Sequence, residues 1–189
     1  MKNLTVILTA VLVLAATTVI NAQNDSKEAK HNLNIGISTH ALVDVESDAA
    51  NGTTIDLAPT APTEAGLGLD FTNISNSDLW LNYSSIVTKG KTNSVSVAIT
   101  GDLPSGVSVE LEVGEDQGKG KGKKVKVVSG TTELGNGDKI IEDIKSCYTG
   151  TGTQAGHNLT YSLKLDEDKY EDIVAQSFPI EVTYTITEN

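Results

Sequence analysis

The residues best suited to bind a charged partner are five lysines grouped in one glycine-rich stretch, GKGKGKKVK. They are Lys119, Lys121, Lys123, Lys124 and Lys126. A cluster of this kind would bind an anion, a polyanionic glycan or a lipid phosphate through its local positive potential. The alternative is a solvated hairpin tip, at which the charges prevent edge-to-edge aggregation. The glycine spacing is not that of a phosphate-binding P-loop or of a dinucleotide-binding loop.

An aromatic residue provides the second candidate for a contact. Trp80 is the single tryptophan of the chain, and it stands in the segment LWLNYSSI. An indole ring at the surface would contact a glycan or a protein partner, together with Tyr83 and the lysines. The alternative is that Trp80 lies in the core between two sheets, as large aromatic residues commonly do.

The third group is acidic and invites a comparison with calcium sites. Five carboxylates occur in residues 166–172: Asp166, Glu167, Asp168, Glu171 and Asp172. Calcium is bound by several carboxylate oxygens in a loop, but this segment lacks the glycine and the third ligand of an EF-hand. The alternative is an acidic loop between the last two strands. We predict no metal site and no cofactor, and the sequence leaves calcium binding by this loop open.

Catalytic chemistry has little support in the sequence. Cys147 and His157 are the one pair that would combine a thiol nucleophile with a base. The surrounding KSCYTG resembles no protease signature, and no G-x-S-x-G occurs. A single cysteine is more typical of a small core residue. We therefore predict no catalytic residue and a protein that is not an enzyme, with a secreted hydrolase as the alternative.

The charge composition excludes several classes of partner. The chain of 189 residues has 25 acidic and 14 basic residues, for a net charge of −11, and every basic residue is lysine. Proteins that bind nucleic acids need basic surface and use arginine for bidentate base contacts, so we predict no nucleic-acid partner. One cysteine cannot form an intramolecular disulfide, and no Cys/His spacing fits a zinc site.

The first 22 residues have the pattern of a secretory signal peptide. Lys2 is followed by an apolar stretch over residues 4–20, and Ala22 is the small residue before the expected cleavage site. An uncleaved membrane anchor is the alternative. Residues 23–31 then form a polar, flexible lead-in. These features predict a mature chain without a membrane span that is secreted, periplasmic or on the cell surface.

The elements that must position these residues are strands. Apolar residues alternate from Leu33 to Val45, which predicts one long strand or two strands that share a kink. Further strands are predicted at 67–72, 79–86, 93–100, 107–113, 123–128, 158–165 and 178–187, while 139–145 fits either a strand or a helical turn. Short strands separated by Gly, Asn, Asp and Pro predict an all-β fold. We expect a single β-sandwich over residues 32–189, immunoglobulin-like or a similar Greek key.

The second half of the chain carries a resemblance to a known group of proteins. The Thr149–Gly152 turn, the Asn158–Leu165 strand and the terminal VTYTIT of residues 182–187 resemble secreted bacterial pilin-like β-sandwiches, among them spore-coat and fimbrial subunits. The resemblance covers about residues 93–187. It implies assembly by β-strand addition, in which an extended segment of one subunit completes the sheet of the next. The alternating Leu33–Val45 segment would be the donor, or else an ordinary first strand of its own domain.

Together these patterns predict an exported, non-enzymatic structural or surface protein, in the manner of a pilin-like subunit. Self-association or a surface partner would be its mode of action. The alternative is an extracellular binding module for a glycan or a surface partner, with contacts at Trp80 and the lysine stretch.

Overall fold

The structure is a computed structural model that describes residues 27–118, 120, 121, 126, 127 and 131–189. The chain divides into two units, residues 1–36 and residues 37–189. The predicted signal peptide of residues 1–22 lies outside the described residues, as do residues 23–26 of the predicted lead-in. Of the first unit, residues 27–36 are described, and they form no strand or helix.

The second unit is built from strands, as the alternating sequence predicts. Ten strands and one short 3-10 helix are present in the described residues. The strands are β1 (His40–Ser47), β2 (Ser75–Ile86), β3 (Asn93–Thr100), β4 (Val107–Val113), β5 (Lys126–Val127), β6 (Thr131–Glu133), β7 (Asn136–Ile144), β8 (Cys147–Tyr148), β9 (His157–Leu165) and β10 (Glu181–Glu188), and the helix spans Glu167–Asp172. The predicted all-β class is therefore confirmed.

The strands form two antiparallel sheets. The first sheet has the order β1-β2-β9-β4-β6, with β8 paired to the far end of β2. The second sheet has the order β10-β3-β7-β5. Neighbours in both sheets are distant in sequence, so each sheet depends on long-range pairing. In the part of the chain that the structure describes, no helix is long and apolar enough to cross a membrane.

Side chains from both sheets meet in one buried cluster. Its members are Leu79, Leu81 and Tyr83 of β2, Val95 and Val97 of β3, Val109 and Leu111 of β4, Ile140, Ile141 and Ile144 of β7, Leu159 and Tyr161 of β9, and Leu134 between β6 and β7. Alternate residues along β2, β3 and β4 face this cluster because successive side chains of a strand point to opposite faces. The hydroxyl groups of Tyr161 in the first sheet and Tyr184 in the second are hydrogen-bonded to each other.

Segment 139–145, which fitted either a strand or a helical turn, is a strand: all of it except Lys145 belongs to β7. Its buried isoleucines, Ile140, Ile141 and Ile144, have a spacing that imitates a helical face. The pairing of β3 with β7 shifts register at three places, and Asp143 has a positive φ of 59°. Such irregularities let adjacent residues of one strand face the core, which disrupts the period of two.

Three strand predictions are wrong in detail. Residues 33–39 lie outside β1, which begins at His40, and residues 67–72 form only an isolated bridge between Asp70 and Thr60. The last strand begins at Glu181 rather than at Phe178. Apolar alternation alone does not make a strand, because a strand also needs a neighbour to accept its hydrogen bonds. The predicted strands at 107–113 and 123–128 belong to different sheets: β4 pairs with β9 and β6, whereas β5, the described part of the second segment, pairs with β7.

The buried cluster predicts a clear contrast between two leucines of the first sheet. Leu81 of β2 is fully buried, whereas Leu42 of β1 is 66% exposed. We expect Leu81→Ala to lower the free energy of unfolding by about 2–5 kcal/mol through lost burial and the cavity that remains. The matched Leu42→Ala change should cost less than about 0.5 kcal/mol. Urea unfolding of both variants measures the difference, and equal losses would contradict this account of the core.

Candidate functional site

The edge of β10 opposite to β3 is one candidate site, because no strand of the described chain pairs with it although β1 lies nearby. β10 is the end strand of the second sheet in the described chain, and its register with β3 is unbroken over Glu181–Glu188. Asn189 donates its N–H to the Thr92 carbonyl at 2.8 Å. Because backbone groups of a strand alternate in direction, the N–H groups of Val182, Tyr184 and Ile186 point away from β3. These N–H groups have no strand partner in the described chain, so the carbonyl groups of an added strand could accept hydrogen bonds from them.

The side chains of β10 leave this edge unprotected. Val182, Tyr184 and Ile186 pack against the core, while the intervening threonines are exposed. Residues 182–187 contain no charge and no proline, which are the features that usually block an edge. Between the glutamates at its two ends, Glu181 and Glu188, the edge is uncharged and rich in β-branched residues, which favour pairing with another chain.

β1, one of the two end strands of the first sheet, differs in this respect. The N–H of Val45 in β1 is bonded to the Oδ1 atom of Asp44 at 2.8 Å, so this N–H does not take part in the ladder with β2. Asp44 and Glu46 also place charge on the strand. β1 lies beside β10, but no ladder joins the two strands in the described chain. The carboxylate of Asp44 thus occupies one N–H group of β1 and hinders pairing with a further strand there. In the described chain, no side chain binds an outward N–H group of β10 in this way.

The alternating segment before β1 is exposed. Leu33, Ile35 and Ile37 are 75%, 79% and 81% exposed, respectively. They lie at every second position, so an extended backbone would place all three on one face. Asn34 and Gly36 would occupy the opposite face. Part of the predicted donor segment is thus an unpaired apolar stretch, while its remainder, from His40, is the first strand of the domain.

A cleft beside Trp80 is a second candidate site. Its volume is about 370 Å³, and its lining residues are Asp48, Ala49, Ser77, Asp78, Trp80 and Thr153. Trp80 lies on the face of β2 opposite to Leu79 and Leu81, where it is half-buried. It is therefore not a core residue between the sheets. Tyr83, in contrast, is only 4% exposed and cannot serve as the surface contact that the sequence suggested.

Two loops and a bulged part of β2 build the walls of this cleft. The register of β2 with β9 shifts between Asn76 and Leu79, which places Ser77 and Asp78 at an irregularity. The hydroxyl of Thr153 is hydrogen-bonded to the carboxylate of Asp48 and joins two loops. Asn76 donates to the Oδ2 atom of Asp78 at 2.8 Å and so orients this carboxylate.

The loop that carries Thr153 is itself held against β2. The Nδ2 atom of Asn82 donates to the Gly152 carbonyl at 2.8 Å. A Cβ atom at Gly156 would lie 2.2 Å from the Leu81 carbonyl oxygen, so only glycine allows this close approach. The position of Thr153 is therefore fixed by contacts at both ends of its loop.

The lysine stretch is described only in part. Lys119, Lys123 and Lys124 lie outside the described residues, and only the backbone of Lys126 is described, in β5. Lys121 is exposed and forms an isolated bridge with Tyr148. Trp80 lies on β2 of the first sheet, whereas Lys126 belongs to the second sheet.

His157 forms a buried hydrogen-bonded pair with Tyr83. It is fully buried, its Nε2 atom is 3.1 Å from the Tyr83 hydroxyl, and its Nδ1 atom is 2.8 Å from the Gly114 carbonyl. The carbonyl can only accept, so Nδ1 carries the proton and Nε2 accepts from Tyr83. Both ring nitrogens are thus engaged with groups other than the Cys147 thiol. Burial raises the pKa values of Tyr83 and Cys147.

The acidic segment 166–172 forms the 3-10 helix and uses its carboxylates for local contacts. The Oδ1 atom of Asp166 accepts from the N–H of Asp168, and Asp166 also pairs with Lys169. Asp172 accepts from the Ser105 hydroxyl at 3.2 Å. Among the described residues, no group of three or more His, Cys, Asp or Glu side chains is placed to hold a metal ion.

Sequence reasoning missed most of the residues beside Trp80. Asp78 carries a usable signal, because it stands two positions before Trp80 and so shares its strand face. Asp48 and Thr153 carry none, since they come from loops that only the tertiary fold brings to β2. The cap that Asp44 forms on β1 was also missed, although a charge inside an apolar alternation is typical of an edge strand.

No protein-family model matches this chain, and no curated protein or solved structure is significantly similar to it. The resemblance of residues 93–187 to pilin-like subunits therefore stays a prediction. The function of the chain is inferred from its own residues and their geometry.

The buried state of His157 predicts a pH dependence of stability. Desolvation lowers the pKa of His157 below its ordinary value, against the opposing effects of the Gly114 hydrogen bond and the carboxylates of Asp116 and Glu115. The unfolded chain therefore binds a proton that the folded chain excludes. Stability is complete above about pH 6.5 and falls as the pH decreases below that value, by at most about 1.4 kcal/mol per pH unit.

Urea unfolding between about pH 5.5 and 7.5, an interval of about one unit on either side of the ordinary histidine pKa, measures this contribution. We expect His157→Gln to reduce the slope of stability against pH, whatever its effect on stability at neutral pH. His40→Gln is the matched control, because His40 is exposed. An unchanged slope in His157→Gln would show that the buried imidazole contributes no such term.

Proposed function

We propose that the protein is an exported, non-enzymatic structural or surface subunit that self-associates by β-strand addition. In this arrangement, residues 33–37 of one copy add as a strand to the free edge of β10 in another copy. The observation that carries the proposal is the presence, in one chain, of an exposed alternating apolar segment and a sheet edge that is uncharged over residues 182–187. In an isolated chain, each of these features promotes aggregation. Pairing the apolar segment of one copy with the open edge of another would satisfy both.

Backbone chemistry supports β10 as the acceptor. A strand laid beside β10 would receive hydrogen bonds from the outward-pointing N–H groups of Val182, Tyr184 and Ile186. At β1, the Asp44 side chain already occupies the N–H of Val45. A donor strand at β1 would have to displace this contact, and it would meet Asp44 and Glu46 in the middle of the strand, whereas the glutamates of β10 lie at its two ends.

Side-chain chemistry supports the donor. Leu33, Ile35 and Ile37 would turn toward the same face as the core-packed residues of β10, and would lose exposed apolar area there. Burial of one such side chain is worth about 1.5–3 kcal/mol, which corresponds to roughly tenfold or more in an association constant. The opposite positions, Asn34 and Gly36, would join the threonine face of β10, which tolerates polar neighbours.

We also infer that the two sheets pack face to face as a β-sandwich, immunoglobulin-like or a related Greek key. The shared buried cluster and the hydrogen bond between Tyr161 and Tyr184 support this arrangement. The signal-like pattern of residues 1–22 supports export to the periplasm, the cell surface or the medium.

The donor face predicts a difference between two neighbouring substitutions. Ile35→Asp places a charge among apolar side chains in the added strand, so we expect the dissociation constant of the assembly to rise tenfold or more. Asn34→Asp introduces the same charge on the opposite face and should change it by less than about twofold. Sedimentation velocity from micromolar to millimolar concentration measures both. Equal effects of the two variants, or a wild-type chain that stays monomeric throughout, would exclude strand addition by this segment.

The acceptor edge predicts a complementary result. Val182→Pro removes an N–H that points to the free edge, while the ladder with β3 keeps its hydrogen bonds. We expect Val182→Pro to associate as poorly as Ile35→Asp. A mixture of the two variants should restore a one-to-one complex, because one variant retains the acceptor and the other the donor. Failure of the mixture to associate, with both chains folded by circular dichroism, would overturn the pairing of residues 33–37 with β10.

A further inference from the structure

We propose that the cleft beside Trp80 binds a small organic cation, namely an ammonium group with carbon substituents. This site lies on the outer face of the first sheet, whereas the proposed assembly uses the edge of the second sheet. The two proposals therefore rest on different residues and can fail independently.

The charge of the cleft is the first argument. Asp48 and Asp78 contribute two carboxylates, and none of the six lining residues is basic. Glu46 is the partner of Trp80 in the register of β1 with β2, which adds a third carboxylate on the same face. The chain as a whole carries a net charge of −11. A cation is therefore attracted to this cleft, and an anion is repelled from it.

The indole ring is the second argument. A tryptophan face is the best of the aromatic side chains at attracting an organic cation, because its π-system is negative above the ring plane. Trp80 is half-buried, so it is held by its neighbours and still lines the cleft. An aromatic ring beside carboxylates is a suitable receptor for an ammonium group, since the ring contacts the carbon substituents while the carboxylates balance the charge.

The rigidity of the walls is the third argument. The Thr153–Asp48 hydrogen bond and the Asn76–Asp78 hydrogen bond orient the two carboxylates before any ligand arrives. Asn158 donates to the carbonyls of Ser77 and Leu79, at 2.7 and 3.2 Å, and so fixes the bulge. A receptor with oriented groups loses less entropy on binding than a flexible one.

Fluorescence provides a direct test, because Trp80 is the only tryptophan of the chain. The full chain is titrated with choline chloride, and sodium chloride replaces it at equal ionic strength in the reference. The matched ligand is 3,3-dimethylbutan-1-ol, which has the shape of choline without its charge. We expect saturable quenching or a spectral shift with choline at millimolar concentration, and at least about fivefold weaker binding of the neutral analogue.

Variants separate the cleft from the rest of the surface. Asp78→Asn keeps the shape of the side chain and removes its charge, so the dissociation constant for choline should rise about fivefold. Asp102→Asn is the control, since Asp102 is exposed in a turn outside the cleft. Thermal unfolding of each variant confirms that the fold is retained.

Three results would overturn the proposal. They are equal responses to choline and to its neutral analogue, an Asp78→Asn variant that binds choline as the wild-type chain does, and saturable binding of methyl glucoside in the absence of choline binding. The last result would assign the cleft to a neutral sugar instead.

Discussion

Every strand must bury one face and find a neighbour for its backbone, and the architecture of the described chain follows from this double constraint. Alternate apolar residues of β2, β3, β4 and β9 satisfy the first condition in one cluster shared by both sheets. Long-range antiparallel pairing satisfies the second for the inner strands. The end strands satisfy it only on one side. The outward N–H and C=O groups of the end strands therefore have no strand partner in the described chain. Two of these strands, β1 and β10, differ in how far their side chains hinder pairing with another chain.

The sequence predicts the inner strands well, because packing and periodicity agree there. β3 and β4 have the predicted bounds, and the outward residues of β4 include Glu110, which pairs with Lys164 of β9. Periodicity fails where pairing decides the outcome. Residues 33–37 alternate as regularly as β4 does, but they form no ladder with any strand of the described chain. The isoleucines of β7 have a helix-like spacing because irregularities in its pairing with β3 interrupt the period of two.

The candidate sites show the same division. Trp80 was a candidate contact from its residue type, whereas Asp78 was not predicted although its spacing to Trp80 places both on one strand face. Asp48 and Thr153 reach the cleft through loops whose course depends on contacts such as that of Asn82 with Gly152, which no local pattern encodes. His157 and Cys147 illustrate the reverse case. Their residue types suggest catalysis, but in the fold the buried imidazole of His157 is hydrogen-bonded to the Tyr83 hydroxyl and the Gly114 carbonyl.

Amide hydrogen exchange along β10 is the most direct test of strand addition. In a dilute monomer, the N–H groups of Thr183, Thr185 and Thr187 should be protected by β3, whereas those of Val182, Tyr184 and Ile186 should exchange rapidly. At concentrations at which the chain assembles, all six should become protected. If the alternating pattern persists in the assembled protein, β10 is not the acceptor and the account is wrong.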